Sequence, residues 1–216
     1  MSATPSITLE QGSSVGYGEQ LASTQDEIHL GCGNHFLLGR NGRGKTTLLR
    51  SIAGSIPFLS GGVKKDGKVF YLSEDLSFDR ELSAKQVIKS LVPASTRAAA
   101  LEFAERIELA MTKPFAELST GNKRKLSIII GEFCASAHPA PIILLDEPYT
   151  GLDDFVRSCV RELWDSNADQ VCRLIVTHPD QDDFLLNSAL TISPGKLEQL
   201  PLESTRTWAS VRQGLK

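Results

Sequence analysis

Long apolar runs are missing from this sequence. None reaches the ~18 residues that a membrane span needs, and residues 1–9 carry neither the basic nor the apolar segment of a secretory leader. The expectation is a soluble, intracellular chain, with any membrane function left to another polypeptide. Cysteine is scarce: Cys32, Cys134, Cys159 and Cys172 lie far apart and in no metal-ligand spacing. They read as buried thiols of a reducing compartment. An excess of one charge is missing too. Lys and Arg number 23 against 26 Asp and Glu, a net charge of -3, which disfavours nucleic acid as a main partner while leaving room for a local basic patch. There is no internal repeat and no low-complexity segment.

What is present describes one ordinary globular domain: 216 residues, 41% hydrophobic and 23% charged, enough to bury a core and carry a small lobe. Its organising stretch is residues 39–47, which read Gly39, Arg40, Asn41, Gly42, Arg43, Gly44, Lys45, Thr46 and Thr47. Phe36, Leu37 and Leu38 before it read as the end of a buried strand. Leu48, Leu49 and Ile52 after it share one face of a helix that Gly54 closes. That is the strand, glycine loop and helix of a P-loop. Gly39 and Gly44 let the backbone curl so that successive N–H groups and the helix N-terminus point at the phosphates of a nucleotide. Lys45 supplies a point charge, and Thr46 is placed to ligate a Mg²⁺ that bridges the phosphates.

The rest of the chain alternates strands and helices. A short strand at residues 7–9 is followed by a Gly/Ser-rich stretch, 11–18, that carries Tyr17, on these residues alone a loop aromatic covering the core edge. A turn at 31–34 precedes the strand that feeds the P-loop, and the turns at 60–62 and 66–67 flank a short strand before another at 69–72. Residues 84–91 and 97–111 are expected helices, the second with Thr96 as its N-cap, inserted between two halves of an α/β core. A further helix over 122–137 is basic at its start, against the dipole preference. An apolar strand at 142–145 ends in Asp146, Glu147 and Pro148. Next comes an amphipathic helix over 153–165 on Val156, Val160 and Leu163, its stripe widened by Phe155, Cys159 and Trp164. A second buried strand, 171–177, ends at His178. Residues 189–200 read as a closing hairpin, and 205–216 as a polar tail. The pattern predicts an α/β sheet with its ligand at the carboxyl ends of the strands.

A second constellation follows the P-loop by about a hundred residues. Asp146 can hold Mg²⁺ directly or through its water, and Glu147 can polarise the water that attacks a phosphate; the bland alternative is a strand-end turn with solvated carboxylates. His178 stands where a side chain can reach a γ-phosphate, although a strand-end histidine taken alone is more often structural.

Residues 39–47, the run Leu118, Ser119, Thr120, Gly121 and Asn122, residues 142–148, the run Thr150, Gly151, Leu152 and Asp153, and the run Val176, Thr177 and His178 come in a familiar order and spacing. Together they resemble the nucleotide-binding domain of ATP-binding cassette (ABC) proteins, over most of the chain from about Tyr17 to Leu200. The discriminating part is Leu-Ser-x-Gly-x at the mouth of a helix just before the acidic strand. The resemblance implies a P-loop NTPase core with a mixed sheet, an N-terminal antiparallel β part and a small helical subdomain. Within one domain, the core spans 1–76 and 115–200, the subdomain 77–114 and a tail 201–216.

By the same resemblance, residues 39–47 are the Walker A loop, Asp146 the Walker B aspartate, Glu147 the catalytic base, Asp153 the D-loop aspartate and His178 the switch histidine. Tyr17 becomes the aromatic that stacks on adenine. Ser119, Thr120, Gly121 and Asn122 are the signature that closes over the γ-phosphate of ATP held by a second subunit, in a homodimer or, less simply, a heterodimer. The implied cofactors are ATP and Mg²⁺, and the implied function is an ATPase on the cytoplasmic face of the membrane that drives a separate permease.

Two departures stand out. The family's usual Gln after the Tyr-Leu strand end aligns with Glu74, which adds a carboxylate at the metal. Arg40 and Arg43 replace common Pro and Ala; either they offset Glu74 or they point to solvent. Thr120, Asn122 and the following Lys123, Arg124 and Lys125 resemble exporters more than importers. The alternatives are a stand-alone ATPase acting on a ribosome or DNA complex, and a regulatory cassette that binds ATP with little turnover.

Overall fold

Side-chain alternation along three central strands sets the layers of the protein. In the computed structural model, which describes residues 4–177, 185–200 and 206–212, these strands are β5 (Gly33–Leu38), β8 (Pro141–Asp146) and β9 (Cys172–Val176). Phe36, Leu38, Ile143, Leu145 and Ile175 face one apolar cluster, and Leu37, Ile142, Leu144, Leu174 and Val176 face another. Successive residues point to opposite faces of a sheet, so strands that are apolar on both faces must be covered on both sides. On one side lies α1 (Lys45–Ala53), closed by Gly54 in a left-handed conformation (φ 80°). On the other lie α4 (Thr120–Ala135) and α5 (Asp154–Ser166).

Among the described residues the main sheet has eight strands. From one edge they run β2 (Ser14–Tyr17), β3 (Glu19–Thr24), β12 (Gly195–Gln199), β11 (Ala189–Ser193), β5, β9, β8 and β7 (Lys68–Leu72). From β11 to β7 every neighbour is parallel, whereas β11–β12 and β2–β3 are antiparallel. The sheet is therefore mixed. A separate antiparallel sheet, β4 (Ile28–Leu30), β1 (Ser6–Leu9) and β6 (Val63–Asp66), forms the N-terminal β part. Between β7 and α4 the chain inserts α2 (Ala84–Leu91), held by a reciprocal capping box of Ser83 and Gln86, and α3 (Ala94–Arg106). The insert packs on α4, where Phe103 and Phe133 meet with ring centroids 6.0 Å apart. Among the described residues, no helix is long and apolar enough to cross a membrane.

Several sequence expectations are corrected here. Thr96 is not the cap of α3: the helix begins two residues earlier behind Pro93, and the Thr96 hydroxyl donates to the Phe133 carbonyl at 2.6 Å, tying α3 to α4. The helix also stops at Arg106 rather than 111, because Glu108 turns left-handed (φ 53°). The Gly/Ser-rich stretch contains β2, and β3 follows it. Ser13 and Ser14 are buried in it through hydrogen bonds to the Gly62 carbonyl and the Ser60 hydroxyl, both 2.7 Å, and not through apolar alternation. Phe155 lies off the α5 stripe, 57% exposed. Of the four thiols, Cys159 and Cys172 are buried and Cys32 and Cys134 only partly so. Within the expected polar tail, β13 (Arg206–Thr207) pairs with β10 (Leu185–Leu186), and α6 (Trp208–Arg212) buries Trp208 and Val211.

One buried ion pair ties the layers together. Arg173 of β9 forks onto Glu132 of α4, Nε to Oε1 at 3.0 Å and Nη2 to Oε2 at 2.7 Å, with both side chains almost wholly buried. Its other donors reach Asn34 at 3.2 Å, the Trp164 carbonyl at 3.3 Å and Asn167 at 2.7 Å. Removing one partner strands a charge in a dry interior. Glu132→Ala is expected to cost about 3–5 kcal/mol in a urea melt, while the double change to Glu132→Met and Arg173→Met recovers most of it.

His35 gives the fold a pH dependence. Its Nε2–H donates to the Gly31 carbonyl (2.9 Å) and its Nδ1 accepts from Ser188 (2.7 Å), the arrangement of a neutral ring. Burial pushes its pKa below the ordinary 6.5, against the pull of the Gly31 carbonyl, and His29 adds to the shift. As pH falls through 6.5 the unfolded chain therefore takes up the proton first, so stability declines there and levels off below the folded pKa. His35→Gln should flatten that stretch of a stability–pH profile.

Candidate nucleotide site

The carboxyl ends of β5, β8 and β9 open onto one cavity of about 700 Å³, within the size range of ligand sites. The P-loop forms its floor. Gly44, left-handed at φ 98°, begins α1 without a side-chain cap, so the helix N-terminus opens toward the cavity as an anion site would. Gly39 serves a different purpose from the one expected: a Cβ there would sit 2.5 Å from the Ile192 carbonyl oxygen of β11. Lys45 folds back over its own loop, donating to the carbonyls of Gly39 (2.9 Å) and Arg40 (3.3 Å). Burial lowers its pKa, while Glu147 and Asp146 pull it back up.

The acidic wall stands opposite. Thr46 Oγ1 donates to Asp146 Oδ1 at 3.2 Å, and the Tyr71 hydroxyl donates to Oδ2 at 3.4 Å. Burial first, and Asp146 second, push the Tyr71 hydroxyl's pKa up, which keeps it a donor. Thr46 and Asp146 thus bring a hydroxyl and a carboxylate together, the hard-oxygen donors that suit Mg²⁺. Glu147 lines the cavity from a left-handed backbone (φ 49°), its N–H bonded to the Val176 carbonyl at 3.0 Å. A non-glycine residue in that conformation is strained, and such strain gathers at functional sites.

The Ser-x-Gly run lies elsewhere. Ser119 caps α4, its oxygen accepting from the Asn122 N–H (3.3 Å) and side-chain amide (3.0 Å), which leaves the hydroxyl proton to donate outward. Gly121 packs on Gly151, where a Cβ would come 2.5 Å from the Gly151 carbonyl oxygen. None of Ser119, Thr120, Gly121 and Asn122 lines the cavity that the P-loop and Asp146 share.

Comparison with known proteins settles the family. The family model described as ABC transporter matches residues 30–150. The chain belongs to the ABC transporter family. It is 30% identical over 198 residues, 81% of this chain and 75% of the relative, to the taurine import ATP-binding protein TauB of Escherichia coli. It is 35% identical over 163 residues, 68% of this chain and 54% of the relative, to the ABC transporter ATP-binding protein YtrB of Bacillus subtilis. The chain thus spans about half the length of the first curated relatives it matches. Among solved structures, an ABC transporter ATP-binding protein from Pyrococcus furiosus superposes with a TM-score of 0.70 at 21% identity, covering 87% of this chain and 97% of that one. A bacterial Atm1-family ABC exporter with ATP bound gives 0.77 at 16% identity, covering 99% of this chain and 41% of that one. These two show the fold.

The expected residues of this ABC nucleotide-binding domain separate into two groups. Tyr17, Asn41, Gly42, Gly44, Lys45, Thr46, Thr47, Glu74, Asp146 and Glu147 line one cavity. Tyr17 is 61% exposed, its hydroxyl accepting from Arg50 at 3.5 Å, so its ring is open to a stacking base. Arg40 is exposed, Arg43 half-buried, and neither lines the cavity. The Asp153 carboxylate caps α5, accepting from the Val156 N–H at 2.9 Å, and stays outside the cavity as well. Asn122 Oδ1 accepts from the Ala110 N–H at 2.9 Å, so its side chain joins the helical insert to the signature. His178 lies outside the described residues.

Sequence reasoning missed Tyr149, Arg157 and Thr177, which also line the cavity. Arg157 had a signal: it stands one helical turn after Asp153 on the cap-proximal face of α5, and its Nη2 donates to the Tyr149 carbonyl at 3.4 Å.

The backbone of Glu147 generates a test. Glu147→Gly should raise stability by about 1 kcal/mol over Glu147→Gln in a denaturant melt, since only glycine relieves the left-handed strain and both remove the charge.

Proposed function

We propose that this chain is the ATP-hydrolysing subunit of an ABC transporter, binding ATP and Mg²⁺ between two head-to-tail copies and driving a separate membrane permease from the cytoplasmic face. The observation that carries the reading is the division of the site. Lys45, Thr46, Asp146 and Glu147 share one cavity, and Ser119 and the start of α4 do not line it. A phosphate chain in that cavity is cradled on one side only, and a second copy in isologous arrangement supplies the missing anion site from its own signature.

In this reading each residue has a defined task. Backbone N–H groups of 44–47 and the Lys45 ammonium hold the β- and γ-phosphates, and Tyr17 stacks on the base. Thr46 and Asp146 would hold Mg²⁺, with Glu74 beside them, and the ion would supply positive charge against the phosphates. Glu147 accepts a hydrogen bond from the attacking water and takes its proton. Ser119 of the facing copy donates to the γ-phosphate. Closing the dimer excludes water and hydrolysis releases it, a motion that the permease converts to transport. The signature composition favours export, and the permease selects the cargo.

The test combines a detergent-extracted pull-down of Glu147→Gln with a phosphate-release assay. The variant is expected to dimerise with ATP, to lose turnover by about 10²-fold or more, and to bring down a polytopic membrane protein. Ribosomal or DNA-bound partners without a membrane protein would favour the stand-alone ATPase. A wild-type dimer with a bound polytopic protein but no phosphate release would favour the regulatory cassette.

A further inference from the structure

Two hydroxyls from different elements hold the buried carboxylate of Asp146, one on each oxygen. The first is Thr46 of α1, which donates to Oδ1 at 3.2 Å. The second is Tyr71 of β7, which donates to Oδ2 at 3.4 Å. β7 and β8 run parallel with Tyr71 opposite Leu144, and Asp146, two residues further on, shows the same face of the sheet. A phenol is long enough to reach such a diagonal neighbour. Arg50 of α1 hydrogen-bonds the same Tyr71 hydroxyl as well as that of Tyr17. A guanidinium only donates, so the Tyr71 oxygen accepts from Arg50 and its proton is left for Asp146. Tyr71 itself does not line the nucleotide cavity, whereas Asp146 does, so the phenol acts on the carboxylate from outside the space a nucleotide takes.

The donor set of the acidic wall makes this hydrogen bond matter. Glu74, Asp146 and Glu147 line one cavity, and a site so rich in carboxylates suits Ca²⁺, which takes many oxygens and accepts a carboxylate by both of its own. Mg²⁺ is smaller, demands near-ideal octahedral geometry and keeps several waters, so one oxygen of a carboxylate serves it. Selectivity between the two ions comes from how many ligand atoms a site offers and how freely they move. We propose that Tyr71 sets the choice of metal: its hydroxyl holds Oδ2 of Asp146, so that Asp146 offers the single oxygen Oδ1, beside Thr46, and denies Ca²⁺ a two-oxygen grip. Tyr71 is thereby a positioning residue that acts through Asp146. The proposal rests on the ATP and Mg²⁺ reading above.

The test titrates the full chain with the non-hydrolysable ATP analogue AMP-PNP, once with Mg²⁺ and once with Ca²⁺ in excess, so that each titration gives the Kd of one metal–nucleotide complex. Wild type should hold the Mg²⁺ complex at least about 10-fold more tightly than the Ca²⁺ complex. Tyr71→Phe, which removes one oxygen and keeps the ring, should lower that ratio by roughly 5- to 10-fold, the size of one hydrogen bond to a charged group. The ratio decides, because a general loosening of β7 weakens both complexes in proportion and leaves it where it was. An unchanged or raised ratio overturns the proposal, as does a wild type that binds the two complexes equally. Tyr71→Met, also without a donor, serves as a second variant and should move the ratio in the same direction. If a urea melt shows that neither variant folds, Tyr71 is structural and the proposal falls. A wild-type chain that binds AMP-PNP with neither metal overturns the ATP reading itself, an outcome distinct from binding with an unchanged ratio.

Discussion

The fork between Arg173 and Glu132 is the constraint to which the architecture answers. Two charges withdrawn from water cost several kcal/mol each unless every donor finds an acceptor. Arg173 meets that demand with groups from β5, α4 and the end of α5, so the pair is satisfied only when three separate pieces of chain arrive in register on β9. Arg173 stands opposite Ile143 on β8, three residues before Asp146, about 10 Å along the strand. Glu132 stands eight residues after Arg124 on α4, about 12 Å along the helix. The two spans nearly match, so anchoring Glu132 on Arg173 sets Arg124 against Asp146 at the far end. The ion pair thereby fixes how the signature helix lies over the strand that carries the acidic wall.

Close backbone approaches finish what the fork begins. Gly131 of α4 lets the helix come down on β7, since a Cβ there would meet Leu72 at 2.4 Å, two residues before Glu74. Gly121 meets Gly151 in the same way at the helix start. The signature, the turn after Glu147 and the strand leading to Glu74 are therefore held against one helix by contacts that leave no space for a side chain. Rigid surroundings of this kind are what allow Glu147 to keep a left-handed backbone.

The nucleotide cavity was the most legible part of the sequence, because its chemistry is written in contiguous residues. The P-loop and the strand ending in Asp146 and Glu147 each need only local backbone geometry to be recognised, and α1, α2 and β8 follow from apolar spacing within a few residues of the expected bounds. Features decided across the chain were not legible. Ser13 and Ser14 are buried by partners at 60 and 62, so β2 had no alternation to show. Arg173 breaks an otherwise apolar strand, and nothing near it in sequence names Glu132 as the reason. Trp208 is polar-tail sequence by its neighbours and core by its contacts. The basic start of α4 looked like one anomaly against the helix dipole; its three side chains have three separate partners.

The balance of charge at the cavity supports the reading that a metal accompanies the nucleotide. The P-loop alone, with the start of α1 and Lys45, would hold any phosphate. Glu74, Asp146 and Glu147 line the opposite side, and a phosphate chain arriving without a cation meets them as a like charge in a partly dry site, where repulsion is poorly screened. Thr46 and Asp146 are the residues that would hold Mg²⁺, whose charge would offset that repulsion, so the acidic wall would favour metal-bound nucleotide over free nucleotide. Lys45 is satisfied by the carbonyls of its own loop, and Arg124 donates to the Asp146 carbonyl.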